Sequence, residues 1–560
     1  MKVLLLVCVC VFVFSTSSFS ETLRFAIIGD RAGTPNQKAF EQVVQDVQLM
    51  SPDIVMTVGD IADNCDEKEW DTALNSLKKL TMPIYYVPGN NDIVDDKTEA
   101  LYMKKTGMRP YYSFDRDSSH FIVVDNSRPD TVEAFDKVQF TWLEKDLAAV
   151  QNKTIFVFMH KPFWGDAIAS GKKDPLHELF KKYKVSAVFT GHWHQYAHDV
   201  IDGIDYYLVG SSGGAFESVD ESMGMFYQFM WCTVKDGKLT VAPMRSPATF
   251  DRDLVTMSEE KMHFAVGHEY IRSSGVVSVT SPDVTAQISI KNATDKPIAS
   301  PLTIVFPSNW TSSYVPSQMT IQSGATQNQT ISMTYTGSIF PLPVVKYSYA
   351  FGRNKVFNYE QPLALTREIT AVAQKKAVVI DGIIRENEWT SAVQVTDLCT
   401  FAGTKTSAEP TVVYLTHDDK NLYIAVVCSD SDMGKIKADV ITRDGQTYTD
   451  DCVGFMISTD GKAVRQLYVN SNGIVWDLFA DLVKNEINEQ WNGDYEVACT
   501  KNIDNWVVEL KIPYKTIGYD KKIGSLFMNM RRKQIRNKQT ALFTPAWSFE
   551  PNKYAVIKIQ

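Results

Sequence analysis

The chain has 560 residues, of which 44% are hydrophobic and 22% charged, and its formal charge is −9. That length exceeds what one hydrophobic core fills, so two to four domains of ordinary globular composition are expected. The negative balance speaks against nucleic acid or an anionic membrane surface as a partner, because phosphate contacts need clustered Lys and Arg.

Lys2 and the apolar run Val3–Phe14 read as a cleavable export signal over residues 1–20, with the small residues Ser18 and Ser20 ahead of Glu21. The run is too short to span a bilayer, and no later stretch is long and apolar enough to be a transmembrane helix. A secreted or periplasmic mature protein is expected. Cys8 and Cys10 would leave with the signal, and Cys65, Cys232, Cys399, Cys428, Cys452 and Cys499 remain. In an oxidising compartment disulfides are the default, though their pairing is open. The lack of CxxC spacing speaks against a zinc–thiolate site.

Residues 21–250 alternate strands with helices. "LRFAIIGD" is a buried apolar strand ending in Gly-Asp, and a helix follows over Asn36–Met50 with Phe40, Val43, Val44 and Val47 on one face. "DIVMTVGD", "PIYYVPGNND", "HFIVVDN", "TIFVFMHKPF" and "VSAVFTGHWH" are further apolar runs with polar residues at their C-terminal ends. Such an order predicts an α/β layered fold, with functional groups where loops leave the carboxyl ends of strands. Those ends carry Asp30, Asp60, Asn90, His160, His192 and His194. Carboxylate, amide oxygen and imidazole together suit Fe, Mn or Zn. Two such ions can activate a water and clamp both oxygens of an in-line phosphoryl displacement. A carboxylate bridging them must come from a fixed strand end, and Asp60 is the natural candidate.

Residues 258–372 change to short strands, Thr/Ser-rich turns and prolines, which predicts a small immunoglobulin-like β-sandwich acting as a spacer. Residues 375–560 are β-rich again. Trp389 and Trp506 belong to the strand pattern and are expected in the core. Trp476 in "NGIVWDLF" and Trp491 in "NEQWNGD" stand in polar surroundings and are candidates for stacking on sugar faces.

The pieces "GDRAG", "GDIAD", "PGNND", "FMHKP" and "TGHWH" resemble, in order, the motifs of the calcineurin-like metallophosphoesterases. The resemblance implies an α/β/β/α four-layer sandwich with a dinuclear centre of divalent or trivalent transition-metal ions. Asp30, Asp60 and His194 would hold one ion; Asp60, Asn90, His160 and His192 would hold the other. Two positions depart from the family pattern. Ala32 stands where the first motif usually has a ligand histidine. The purple acid phosphatases replace that ligand with a tyrosine three residues after the second-motif Asp, and here that place is Asp63, a candidate ligand or a turn cap. Asn91 stands where the family has a histidine thought to bind phosphate and protonate the leaving group. Asn can donate a hydrogen bond but delivers no proton near neutral pH.

"IDGIIRENEW", "DDKNLYIAVVCSD", "DDCVGFMISTDG" and "WVVELKIP" resemble the family 9 carbohydrate-binding modules. That resemblance implies a second all-β sandwich and a polysaccharide or glycan partner, and the acidic stretches permit a structural calcium. The combined expectation is an exported phosphoesterase that hydrolyses a phosphate mono- or diester through a metal-bound hydroxide, with a glycan-binding-like module appended. The alternative is a non-catalytic secreted surface-binding protein whose phosphoesterase domain is degenerate. Ala32 and Asn91 favour the alternative, and the remaining ligand set favours the enzyme.

Overall fold

The computed structural model describes residues 22–170, 173–216, 219–279, 281–406 and 409–560. The expected signal segment lies outside the described residues. The chain divides into two compact units, Met1–His263 and Phe264–Gln560. No helix among the described residues is long and apolar enough to cross a membrane.

In the first unit the elements run β1 (Leu23–Ile28), α1 (Gln37–Met50), β2 (Ile54–Thr57), α2 (Glu67–Leu77), β3 (Ile84–Tyr85), α3 (Asp96–Thr106), β4 (Tyr112–Arg116) and β5 (Ser119–Val123). They continue with α4 (Lys137–Ala149), β6 (Thr154–Phe158), α5 (Phe163–Ser170), α6 (Pro175–Lys182), β7 (Ala187–Thr190), β8 (Ala197–Ile201) and β9 (Ile204–Leu208). β10 (Phe229–Lys235), β11 (Lys238–Arg245), β12 (Ala248–Thr249) and α7 (Met257–Ala265) close the series. Two six-stranded sheets result, ordered β12-β11-β10-β1-β2-β3 and β4-β5-β6-β7-β9-β8.

Side-chain alternation along the strands builds the layers. Phe25 and Ile27 of β1 join Phe121, Phe156, Phe158 and Phe189 from the other sheet in one core; the Phe25 and Phe121 rings meet edge to face at 5.4 Å. The alternate residues Ala26 and Ile28 face Phe40, Val44 and Trp70 of the helices on one side. Ile122, Val157 and Val188 face Leu143, Leu147 and Leu179 on the other. The four-layer α/β/β/α sandwich is therefore written in the period-2 pattern of these runs. Each buried Phe or Leu contributes on the order of 1.5–3 kcal/mol. Helix α1 starts where Asn36 caps it by accepting from Ala39 N, and stops at Ser51, which takes a left-handed φ of 49°.

The second unit is β-rich throughout. One sandwich sheet holds the strands Ile271–Ser278, Ser281–Lys291, Trp310–Thr311 and Thr326–Tyr335, and a four-stranded sheet holds Ser317–Ile321, Ile298–Val305, Val344–Phe351 and Lys355–Pro362. The strand Leu365–Ala373 then serves two neighbourhoods. Its residues 365–368 pair in parallel with Gly275–Ser278, its residues 368–371 pair in parallel with Val556–Ile559, and Val372 and Ala373 pair with Thr416 and His417. The C-terminal part packs Ile369, Val413, Ile424, Phe455, Val508, Met528 and Ile557 into one core.

Glu509 explains why "IDGIIRENEW" and "WVVELKIP" occur together. One carboxylate oxygen accepts from Asp381 N and Gly382 N at 3.0 and 2.8 Å, and the other accepts from the Trp389 indole at 3.0 Å. Gly382 holds a φ of 81° and packs so closely that a Cβ there would meet Thr500 Oγ1 at 2.5 Å. Glu509→Ala would strand three donors in a buried site. At about 1–3 kcal/mol for each unsatisfied group, a loss of roughly 3–5 kcal/mol is expected. Urea denaturation of the full chain measures it, and a loss below about 1 kcal/mol would show that water replaces the carboxylate.

Trp389 and Trp506 are core residues, 4% and 1% exposed. The expected disulfides do not form: all six cysteines named above are free thiols. Cys232, Cys428 and Cys452 lie in three separate hydrophobic clusters and act as small apolar core residues. Burial pushes Cys428 up to about 11 and Cys499 up to about 12, so little thiolate is available for exchange.

Candidate metal centre

The loops leaving β1, β2, β3, β6 and β7 meet at the carboxyl ends of the two sheets. Their approach is closest at glycine. A Cβ on Gly89 would lie 2.2 Å from Asp60 Oδ1, and a Cβ on Gly191 would lie 2.5 Å from Asp30 Oδ2. The glycines of "PGNND" and "TGHWH" thus leave room for the carboxylates of the other motifs.

Each donor is held by backbone. Asp30 is fully buried, and its carboxylate accepts from His192 N at 2.9 and 3.2 Å. Its own carbonyl accepts from Ser212, Gly213 and Gly214 N in the loop after β9. Asp60 takes a left-handed φ of 54°, a conformation Asp tolerates better than most residues. His160 Nδ1 lies 2.8 Å from Val58 O and so carries its proton towards that carbonyl. Its Nε2 then lies 3.0 Å from Asn90 Oδ1, 3.4 Å from Asp60 Oδ2 and 3.2 Å from His192 Nδ1. One donor atom each from Asp60, His160 and His192 falls within 4.8 Å of the others. Beside them, His194 points Nδ1 at Ala215 O, 2.7 Å away, and brings Nε2 to 3.9 Å from Asp30 Oδ1. Asp60, His160 and His192 thus form one cluster, with Asn90 against His160 and with Asp30 between His160 and His194.

The chemistry of this donor set fits a cation. Carboxylate, carboxamide and imidazole lone pairs crowd one spot, and without a positive charge they repel each other. The electrostatics express the same demand. Burial opposes protonation of His160, yet the Asp60 and Asp30 carboxylates override it and push the imidazole up to about 9. Burial, and then the neighbouring His160 charge, push His192 down to about 4, which leaves it a neutral ligand. Burial raises Asp30 above the usual carboxylate range, while burial of Asp60 is outweighed by His160, holding it at about 2. A bound metal takes over the role of the His160 proton, so loading would release protons.

Asn91 donates twice to Asp60 and keeps a second carboxamide N–H. Its backbone N donates to Oδ1 and its carboxamide Nδ2 to Oδ2, each at 2.7 Å. The residue expected to face phosphate is here a clamp on the candidate bridging carboxylate. Asp63 accepts from Gly33 N at 3.0 Å and ties the first loop to the second. Ala32 is buried and donates its N–H to Asp60 O.

Three supports escaped sequence reasoning because they act through backbone. Asp92 accepts from Ile61 N, Ala62 N and Gly89 N and so joins the second and third loops. Burial, then the Asp60 charge, push it up to about 7. Asn126 accepts from His160 N and Lys161 N and donates to Lys161 O, fixing the turn that carries His160. The "GSSGG" loop cradles Asp30, and its glycine-serine composition was the available signal.

Residues 23–196 match the family model for calcineurin-like phosphoesterase. The first unit carries a calcineurin-like phosphoesterase domain. Residues 380–541 match carbohydrate family 9 binding domain-like, so the second unit includes a domain of that kind. Tartrate-resistant acid phosphatase type 5 of Homo sapiens is 24% identical over 241 residues, which covers 34% of this chain and 72% of the human protein. A probable glycerophosphodiester phosphodiesterase GpdQ of Arcobacter nitrofigilis is 25% identical over 164 residues, covering 26% of this chain and 57% of that protein. The structure of purple acid phosphatase PPD1 from yellow lupin (Lupinus luteus) aligns at 18% identity and a TM-score of 0.33, covering 41% of this chain and 53% of that one. The calcineurin-like family and the acid phosphatase matched by sequence imply a dinuclear metal centre in the phosphoesterase domain.

In the carbohydrate-family domain, Trp476 is only 8% exposed and packs against Tyr448 and Tyr468 at 5.0 and 6.0 Å. It shows no open ring face, which corrects its reading as a stacking platform. Trp491 is half-buried beside Phe479 and Tyr495. The open aromatic surface lies elsewhere. Trp547 is 63% exposed and stacks on Phe401 at 4.4 Å. The Arg531 guanidinium lies over Phe401 at 4.9 Å and donates to Tyr468 OH, while its Nε and Nη2 are buried and have no partner among the described residues. A tryptophan in the polar, proline-flanked loop "TPAWSFE" was the sequence signal.

Proposed function

We propose that this protein is an exported, metal-dependent phosphoesterase that hydrolyses phosphate esters with acidic leaving groups and binds glycan through its C-terminal domain. The convergence of Asp60, Asn90, His160 and His192 carries the catalytic reading. Asp30, Asp60 and His194 would hold one ion, and Asp60, Asn90, His160 and His192 the other, with Fe, Mn or Zn matching the donors. The ions would supply Lewis acidity to the phosphoryl oxygens and acidify a water.

The chain's own residues set the rest. Asn91 orients both Asp60 oxygens, and Asn126 and Val58 O fix the rotamer and tautomer of His160. Asn91 cannot hand a proton to a departing alkoxide, so the ester oxygen must leave as a stable anion. Aryl phosphodiesters meet that condition better than alkyl monoesters.

Elemental analysis of protein purified from the culture medium, with its N-terminus read, followed by a phosphoester panel with added Mn, Zn or Fe, tests this reading. Metal near two per chain, a start at Glu21 and faster aryl hydrolysis support it. Metal binding with no turnover on any ester would instead support a secreted surface-binding protein with a degenerate phosphoesterase domain. One observation favours that second reading, namely that the Asn91 amide is occupied by Asp60.

For the C-terminal domain, Trp547, Phe401 and Arg531 are the proposed sugar surface, in place of Trp476. Aromatic stacking with a directional donor beside it suits a saccharide face. The strands over residues 258–372 serve as an immunoglobulin-like spacer in this reading. Trp547→Ala is expected to weaken glycan binding at least tenfold in affinity gels while phosphoesterase activity stays unchanged. Unchanged retardation would move the sugar surface away from this loop.

A further inference from the structure

The turn that carries His192 and His194 is strained. Both residues hold left-handed backbone, with φ of 79° and 59°, where the Cβ crowds the following carbonyl and the chain stays only if its surroundings hold it. Hydrogen bonds secure the two histidines themselves. His192 N donates to Asp30 Oδ1 at 2.9 Å, and the His194 carbonyl accepts from Ser211 N at 3.1 Å. Trp193, the one residue between them, is held by packing. Its side chain lies against the core cluster that includes Trp164 and Met257. The Cη2 edge of the indole reaches α5, where a Cβ on Gly165 would lie 3.4 Å from it and 3.2 Å from the Met257 methyl. Lys261 of α7 donates to the carbonyl of the same glycine at 2.5 Å. Met257 and Lys261 lie beyond residues 23–196, the stretch that matches the family model, so part of the wall behind the indole comes from outside it.

We infer that Trp193 is a positioning residue for the proposed metal centre: its indole, seated against Gly165 and Met257, holds the strained turn that aims His192 and His194. The role rests on the phosphoesterase reading of that centre. Donors already in place bind an ion more tightly than donors that must be gathered, and the groups behind metal ligands are commonly worth about 10–100-fold in affinity. Without the ring, residues 192–194 can relax towards right-handed backbone, and a side chain that leaves a left-handed conformation swings away from its former direction. His192 Nδ1 stands 3.2 Å from His160 Nε2, and His194 Nε2 stands 3.9 Å from Asp30 Oδ1. A small swing of the turn separates both pairs.

Full-length protein loaded with Mn²⁺ is titrated with a chelator of known affinity, and the Mn²⁺ it retains is read by elemental analysis. Trp193→Ala is expected to bind Mn²⁺ at least about tenfold more weakly than wild type. Trp193→Phe should recover most of that loss, because a phenyl ring still seats against the same wall. If Trp193→Ala does not fold, Met257→Ala takes its place. It removes the wall behind the indole, keeps every candidate ligand, and should weaken Mn²⁺ binding in the same direction. Wild-type affinity in a folded Trp193→Ala, or in Met257→Ala where that variant is used, overturns the role and leaves Trp193 a packing residue. Wild type that retains no ion, with Mn²⁺, Zn²⁺ and Fe²⁺ each tried, rejects the metal centre itself and the role with it.

Discussion

Asp60→Asn is expected to abolish phosphoester hydrolysis, with a loss of at least about 10³-fold on every substrate. The substitution keeps the left-handed φ that Asn also tolerates and keeps one acceptor oxygen for Asn91, while its amide nitrogen faces the second Asn91 donor, so folding should survive with some loss of stability. It removes the negative charge that faces His160 Nε2 at 3.4 Å. In the proposed centre that charge is shared by both ions, and their Lewis acidity is worth several kcal/mol of transition-state stabilisation; each 1.36 kcal/mol is a factor of ten in rate. Asp60→Ala should lose as much activity, but it also strands the Asn91 donors and places Ala at a positive φ, so it will be less stable. Elemental analysis separates the effects. Activity near wild type with metal below one ion per chain would disprove Asp60 as the bridge.

Asn91→His is the second large effect, and its sign is a gain. General-acid assistance is typically worth about 10²–10⁴-fold. The gain should be greatest for alkyl esters, whose leaving groups most need a proton, and smallest for aryl esters. Wild type should accordingly show a steep dependence of rate on leaving-group pKa, and the variant a shallow one. The full gain requires the new ring to take one tautomer, and it must give up the clamp that the Asn91 amide places on Asp60 Oδ2. The ratio of alkyl to aryl rates in the two proteins is the decisive measurement. If wild type already cleaves both classes equally, another residue supplies the proton.

The candidate ligands are legible because each follows an apolar strand, and strand ends are where a layered α/β fold gathers polar groups. The four layers were legible because alternate residues in those strands face different neighbours. Asp92, Asn126 and the loop that cradles Asp30 were hidden, since they act on backbone N–H and C=O groups that any sequence carries. Trp476 was misread for a related reason. Polar neighbours along the chain, such as Asp477, do not reveal that Tyr448 from a short 3-10 turn and Tyr468 from the neighbouring strand cover the ring.

The shared strand Leu365–Ala373 has a mechanical consequence. The strand Ile271–Ser278 lies near the start of the second unit and Ala555–Ile559 near its end, and both run parallel to the shared strand. A pull on the two ends of this unit would draw those strands in opposite directions along it. Force applied at the two ends of this unit would then load the backbone hydrogen bonds in shear, many at once, instead of unzipping them one by one.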